Sequence, residues 1–211
     1  NSEDELTFAD LFVAIAAAEP NLTYGPGAIV PANPFASTPT GSTFSWTSSN
    51  PAIGLAATVG AGGLPSFTAT NSTGAPISST ISIIPTLAGC TGPASTFTIT
   101  INPVPPVTST SVTVCAGFSG TLTGGGAASY VWNTGAAAAN MTASPASTTT
   151  YTVTGTSLGC TSTATGTITV APALAITVNS PTICAGATAT LTATGGTTYA
   201  WSNGSATNPT N

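Results

Sequence analysis

An all-β fold, built from small β-sandwich domains in tandem, is predicted by three features of this 211-residue chain. It carries 44 Thr and 23 Ser, and β-branched Thr suits a pleated, half-buried surface. Its 23 Gly and 17 Pro interrupt short runs of period-two alternation, the punctuation of many turns between strands. The third feature is an internal repeat. Residues 114–135 align without a gap on 183–204 at an offset of 69, matching Cys115 with Cys184, Gly117 with Gly186, Leu122 with Leu191, Tyr130 with Tyr199, Trp132 with Trp201 and Gly135 with Gly204. A second correspondence, GCTGPASTFTITINP at 89–103 with GCTSTATGTITVAP at 159–172, ties the end of a first domain to the end of a second.

These matches divide the chain into an acidic N-terminal segment (1–20), a first sandwich (21–103), a second (104–172) and an incomplete third repeat (173–211). In the first sandwich the best strands are 43–47, 66–70, 79–84 and 96–101; in the second they are 111–115, 119–123, 129–133, 149–155 and 164–170. The third repeat stops after the strand equivalent to 129–133, before any segment matching 159–172. Proline-containing joints at 102–107 and 171–175 are short and stiff, because Pro fixes φ and favours extended backbone before it. The domains are therefore expected to follow one another as a rod.

The N-terminal segment differs in kind. Phe8, Leu11, Phe12 and Ile15 fall at helical spacing behind a run of acids, which reads as a short amphipathic helix. The competing reading is extended, with Leu11, Val13 and Ile15 on one face, able to add to the edge of a neighbouring sandwich. Phe8, Leu11, Phe12, Val13 and Ile15 are thus the candidates for assembly.

Charge excludes whole classes of function. There is no Lys, Arg or His, and the only acids are Glu3, Asp4, Glu5, Asp10 and Glu19. General acid-base catalysis needs a His, carboxylate or Lys, and oxyanion or phosphate clamps usually need cations or a metal, so the chain is read as not an enzyme. Nucleic-acid affinity comes largely from cations that displace counterions, so nucleic acid is not an expected partner. Beyond Pro20 only four Cys and neutral oxygens are available to a metal, and no metal or other cofactor is expected. No stretch approaches the roughly 20 apolar residues of a transmembrane helix.

An aromatic-x-Trp motif recurs as Phe44 with Trp46, Tyr130 with Trp132, and Tyr199 with Trp201. Two residues apart lie on one face of a strand, which suits a central strand packed on the opposite sheet. Trp46, Trp132, Trp201, Tyr130 and Tyr199 are accordingly read as core anchors; an exposed platform for sugars is the alternative.

The segments FSWTSSNPAIGLAA, SFTATNSTGAPISSTISIIPTLAGCTGPASTFTITINPVP and SPASTTTYTVTGTSLGCTSTATGTITV resemble the PKD-like and Ig-like repeats of large secreted surface proteins of Bacteroidetes-type bacteria, substrates of type IX secretion that include gliding and attachment adhesins. The resemblance covers about 24–211. It implies Ig-like or PKD-like sandwiches in a secreted cell-surface array, with neighbouring repeats, identical subunits or surface polysaccharide as partners and no catalytic residues. The family's first repeat opens with a Cys where this chain reads TYGPGA at 23–28, which leaves Cys90 without its expected partner.

Repeat logic pairs Cys115, at the opening of the second repeat, with Cys160 near its close. Such a bridge would contribute about 4 kcal/mol through chain entropy and fits an oxidising, extracellular setting. Buried free thiols are the alternative, and no Cys-x-x-Cys supports redox or metal chemistry. The expected function is an extracellular structural or adhesive repeat forming a stalk or fibre. A carbohydrate-binding or spacer module of a secreted multidomain protein is the runner-up.

Overall fold

The computed structural model describes residues 13–207, where every regular element is a strand apart from one 3-10 turn at Pro51–Ile53. Contacts divide the chain into two compact units. One holds residues through 110 with 123–141 and 151–166, and the other holds 111–122, 142–150 and the chain from 167 onward.

In the first repeat one sheet runs in the order Leu22–Tyr24, Ser95–Ile101, Ile77–Leu87, Thr43–Ser48, Val59–Ala61, and Cys90–Thr91 folds back on Ile77–Leu87. Leu22–Tyr24 lies parallel to Ser95–Ile101, with Leu22 opposite Ile99 and Tyr24 opposite Ile101. A second, smaller pairing joins Ile29–Val30 to Phe67–Thr68. Alternation sends Phe97, Ile99 and Ile101 inward from one strand and Ile81 and Ile83 from its neighbour. They pack in one cluster with Val30, Trp46, Ile53, Leu55 and Leu64. Each such side chain removed from water is worth about 1.5–3 kcal/mol. Two of the buried hydroxyls in this region satisfy each other, Ser48 and Ser79 meeting at 2.8 Å while Ser79 Oγ also accepts from the Asn50 amide at 3.1 Å.

The second repeat shows the topology most fully. Thr108–Ser109, Gly120–Gly125 and Asn140–Ala143 form one sheet; Val112–Cys115, Cys160–Ala171, Thr149–Ser157 and Ser129–Trp132 form the other, in that order. Strands one, three and five thus share a sheet, and seven, six and four share its partner, with the opening strand divided between the two. That is the A-B-E and G-F-C order of an Ig-like sandwich. In the third repeat Thr177–Val178 pairs with Ala193–Thr194, repeating the pairing of Thr108–Ser109 with Gly120–Gly125 one 69-residue period later.

Each predicted strand has a counterpart: 43–47, 79–84, 96–101, 149–155 and 164–170 are extended by one to four residues at an end, 119–123 shifts to Gly120–Gly125, 111–115 and 129–133 each lose one residue, and 66–70 shrinks to Phe67–Thr68. Seven short strands of the first two repeats were not anticipated: Leu22–Tyr24, Ile29–Val30, Ser37–Thr38, Val59–Ala61, Cys90–Thr91, Thr108–Ser109 and Asn140–Ala143. A segment of two to four residues is too short to display a period.

The helical reading of the N-terminal segment is corrected where the structure describes it. Ile15–Ala16 is a strand, antiparallel to Ser37–Thr38 of the same chain, and the Ala17 amide continues the ladder to the Ala36 carbonyl at 2.8 Å. Phe8, Leu11 and Phe12 lie outside the described residues. The inward positions are Ala14 and Ala16, while Val13 and Ile15 point to solvent at 52% and 60% exposure. The reason is the partner strand: Ser37–Thr38 supplies backbone hydrogen bonds that a helix over these residues would forgo. The small Ala14 and Ala16 face inward, and the Ala14 carbonyl packs so closely on Gly92 that a Cβ on Gly92 would overlap it.

Candidate structural and assembly sites

The aromatic-x-Trp strand builds the same bonded unit twice. Tyr130 Oη donates to the Ala127 carbonyl at 2.7 Å and accepts from the Ala127 amide at 2.8 Å; Tyr199 does the same with Gly196 at 2.7 and 2.9 Å. Trp132 Nε1 donates to the Ala138 carbonyl, and Trp201 Nε1 to the Thr207 carbonyl, both at 3.0 Å. Replacing Tyr130 with Phe removes a donor and an acceptor from a half-buried turn. The expected loss is about 1–2 kcal/mol. Denaturant unfolding checks it, and a loss below about 0.3 kcal/mol would show the ring alone fixes the turn.

Trp46 and Trp132 are 3% and 1% exposed, whereas Tyr130, Tyr199 and Trp201 are half-buried. A sugar platform needs an open ring face, so Trp46 and Trp132 are not one. Trp46 differs from Trp132 in a second way, because its buried Nε1 has no hydrogen-bond partner and Gly60 lies flat against its ring.

In the third repeat apolar side chains are open to solvent: Leu174, Ile176, Val178 and Ile183 are 70%, 47%, 49% and 49% exposed. Leu191 and Trp201 are half-buried, while their counterparts Leu122 and Trp132 are buried.

The expected Cys115 to Cys160 bridge is not formed. All four cysteines are free thiols, with Cys160 half-buried and Cys90, Cys115 and Cys184 exposed. Cys115 lies opposite Ala171, the last residue of the strand Cys160–Ala171 that Cys160 begins. A strand of that length separates its ends by roughly 36 Å, whereas bridged cysteines have Cα atoms within about 7 Å. The repeat's opening and closing cysteines sit at opposite ends of one strand.

What Cys160 does touch was missed by sequence reasoning. A two-residue turn with both residues at positive φ, Leu158 at 51° and Gly159 at 78°, presents Cys160 at a hairpin tip. The Leu158 carbonyl accepts from Asn102 Nδ2 at 2.8 Å, and the Cys160 thiol faces Gly25. Gly25, Asn102, Leu158 and Cys160 all belong to the first compact unit. The available signal was the TYGPGA segment, read only as a missing Cys.

Among the described residues Glu19 is the sole acid, its carboxylate accepting from Asn33 Nδ2 at 2.9 Å. No group of three His, Cys, Asp or Glu that could hold a metal occurs among them, and no helix there is long and apolar enough to cross a membrane.

No family model and no curated protein matches the sequence. Solved structures that align with it include Ig-domain proteins. A three-Ig segment of titin has a TM-score of 0.44 at 10% identity, covering 75% of this chain and 65% of that one. The N-terminal eight Ig domains of Down Syndrome Cell Adhesion Molecule have 0.35 at 11%, covering 81% of this chain and 29% of that one. A titin domain pair solved in complex with telethonin has 0.30 at 15%, covering 77% and 98%. This chain thus spans less than two thirds of the first two. At these scores the Ig-like description rests on the strand order given above.

Proposed function

We propose that this protein is an extracellular structural or adhesive repeat protein, a cell-surface stalk or fibre of the kind built from PKD-like and Ig-like arrays. The observation that carries the reading is the recurrence, at a 69-residue offset, of one sandwich framework down to its Tyr and Trp hydrogen bonds, on a body that beyond Glu19 has no charged side chain. Such a framework holds shape and offers no nucleophile-base pair. Without net charge on the repeats little electrostatic repulsion keeps chains apart, which favours end-to-end or lateral association of identical subunits. A secreted location accords with this reading, as does a chain delivered by type IX secretion in Bacteroidetes-type bacteria. Surface polysaccharide is a further partner of this class.

The proposed domain boundaries are 1–20, 21–103, 104–172 and 173–211. The exposed third-repeat residues and the N-terminal segment are the assembly surfaces. Electron microscopy of the purified chain at rising concentration is expected to show fibres, and deletion of residues 1–19 to abolish them. A chain that stays monomeric at every concentration overturns self-assembly; fibres that persist after the deletion overturn the N-terminal segment as an assembly surface.

A further inference from the structure

The register of the first repeat identifies the position that corresponds to the opening cysteines. Leu22 lies opposite Ile99 and Tyr24 opposite Ile101, as Val112 lies opposite Ile168 and Val114 opposite Val170. The next residue after Tyr24 is Gly25; after Val114 it is Cys115. The turns that follow agree. The Ala28 amide donates to the Gly25 carbonyl at 3.3 Å, Phe118 to Cys115 at 3.1 Å and Ala187 to Cys184 at 3.1 Å, with Gly27, Gly117 and Gly186 at φ of 83°, 88° and 84°. Positions 25, 115 and 184 are one structural site, occupied by Gly, Cys and Cys.

In the one instance where that site meets a following repeat, it meets a cysteine. A Cβ on Gly25 would lie 2.9 Å from Cys160 Sγ, and no other atom outside residues 24–26 comes within 4 Å of it. That is too close for an unbonded Cβ and is about the separation of a Cβ from the distal sulfur across a disulfide. Asn102 holds the hairpin in place through the Leu158 carbonyl at 2.8 Å.

We infer that this site is a staple between successive repeats: the opening cysteine of one repeat bonds the hairpin cysteine of the next, not the hairpin cysteine of its own. The rule accounts for both cysteine series. Cys115 and Cys184 are opening cysteines directed at the hairpin of a repeat that follows, and Cys90 and Cys160 are hairpin cysteines directed at the opening turn of a repeat that precedes. In the first junction Gly25 stands in the opening place, so Cys160 stays a thiol. Closing the staple joins two sulfurs and releases two protons and two electrons. A small-molecule disulfide such as oxidised glutathione accepts them and leaves as two thiols.

The test is Gly25→Cys in the full chain. Gly25 lies outside the left-handed region, so a side chain is compatible with its backbone. After incubation with oxidised glutathione, non-reducing peptide mapping is expected to find residues 25 and 160 joined, and free thiols to fall from five to three. Alkylation of both residues, or a bridge from residue 25 to Cys90, Cys115, Cys184 or a second copy, overturns the proposal. Gly25→Ser, close in shape and unable to bond, is expected to fold once the Cys160 thiol, the end of a side chain, turns aside; its failure to fold would mean that no side chain fits opposite Cys160, and would also overturn it.

Discussion

Replacing Trp132 with Ala is expected to destabilise the second repeat by about 3–5 kcal/mol, a large share of what a domain of this size possesses. Trp132 is 1% exposed, pairs across the strand with Val153 and donates Nε1 to the Ala138 carbonyl at 3.0 Å. Truncation therefore leaves a cavity and an unpaired carbonyl together. Substitution by Phe separates the terms. At Trp132 it loses both volume and the bond; at Trp46, whose Nε1 already lacks a partner, it removes a buried unpaired donor and should cost less by about 1–2 kcal/mol. Hydrogen exchange in Thr149–Ser157 reports on the second repeat by itself, which matters because a chain of several domains has no single unfolding free energy. Equal losses for the two Phe variants would show that the Ala138 bond contributes nothing.

The frame was legible because it is written in period-two alternation. Ile77–Leu87, Ser95–Ile101 and Thr149–Ser157 each alternate inward and outward over seven residues or more, and alternation of that length has one reading. The recurring aromatics gave the repeat its phase. The cysteines were not legible, for a physical reason. A repeat matches positions without saying which repeats touch, so placing Cys115 and Cys160 in one domain said nothing of the strand that keeps them apart. The N-terminal segment failed differently. Its apolar side chains fit both a helix and a strand, and the choice over 15–16 depended on a partner strand, Ser37–Thr38, too short to be seen in sequence.

The uncharged composition alters what holds the domains together. Among the described residues Glu19 is the only carboxylate and there is no cation to pair with it, so polar cohesion falls to hydroxyls and backbone. Thr and Ser pairs across strands do part of this: Ser78 with Thr100, Thr121 with Thr142 and Thr150 with Thr167 meet at 2.8, 2.8 and 3.1 Å. Each contributes a few tenths of a kcal/mol to about 1 kcal/mol. Such pairs are insensitive to salt, unlike surface ion pairs. These cross-strand contacts therefore persist where ionic conditions vary.

Gly126→Ala is expected to cost about 2–5 kcal/mol, from two sources that a control divides. Gly126 has φ of 84°, a conformation that disfavours any Cβ, and a Cβ there would also overlap the Pro106 carbonyl. That carbonyl belongs to a proline of fixed φ and cannot swing away as a long side chain would. One period later Gly195, at φ of 99°, meets the Ala175 carbonyl in the same manner, so the overlap belongs to the framework and not to one turn. Gly117→Ala is the control. It has φ of 88° but open space around the missing Cβ, and should lose only the conformational part, about 1–2 kcal/mol. Denaturant unfolding of the two variants gives the overlap term by difference. If Gly126→Ala proves as mild as Gly117→Ala, the segment at Pro106 yields, and the joint that leads into the second sandwich is softer than its three prolines imply.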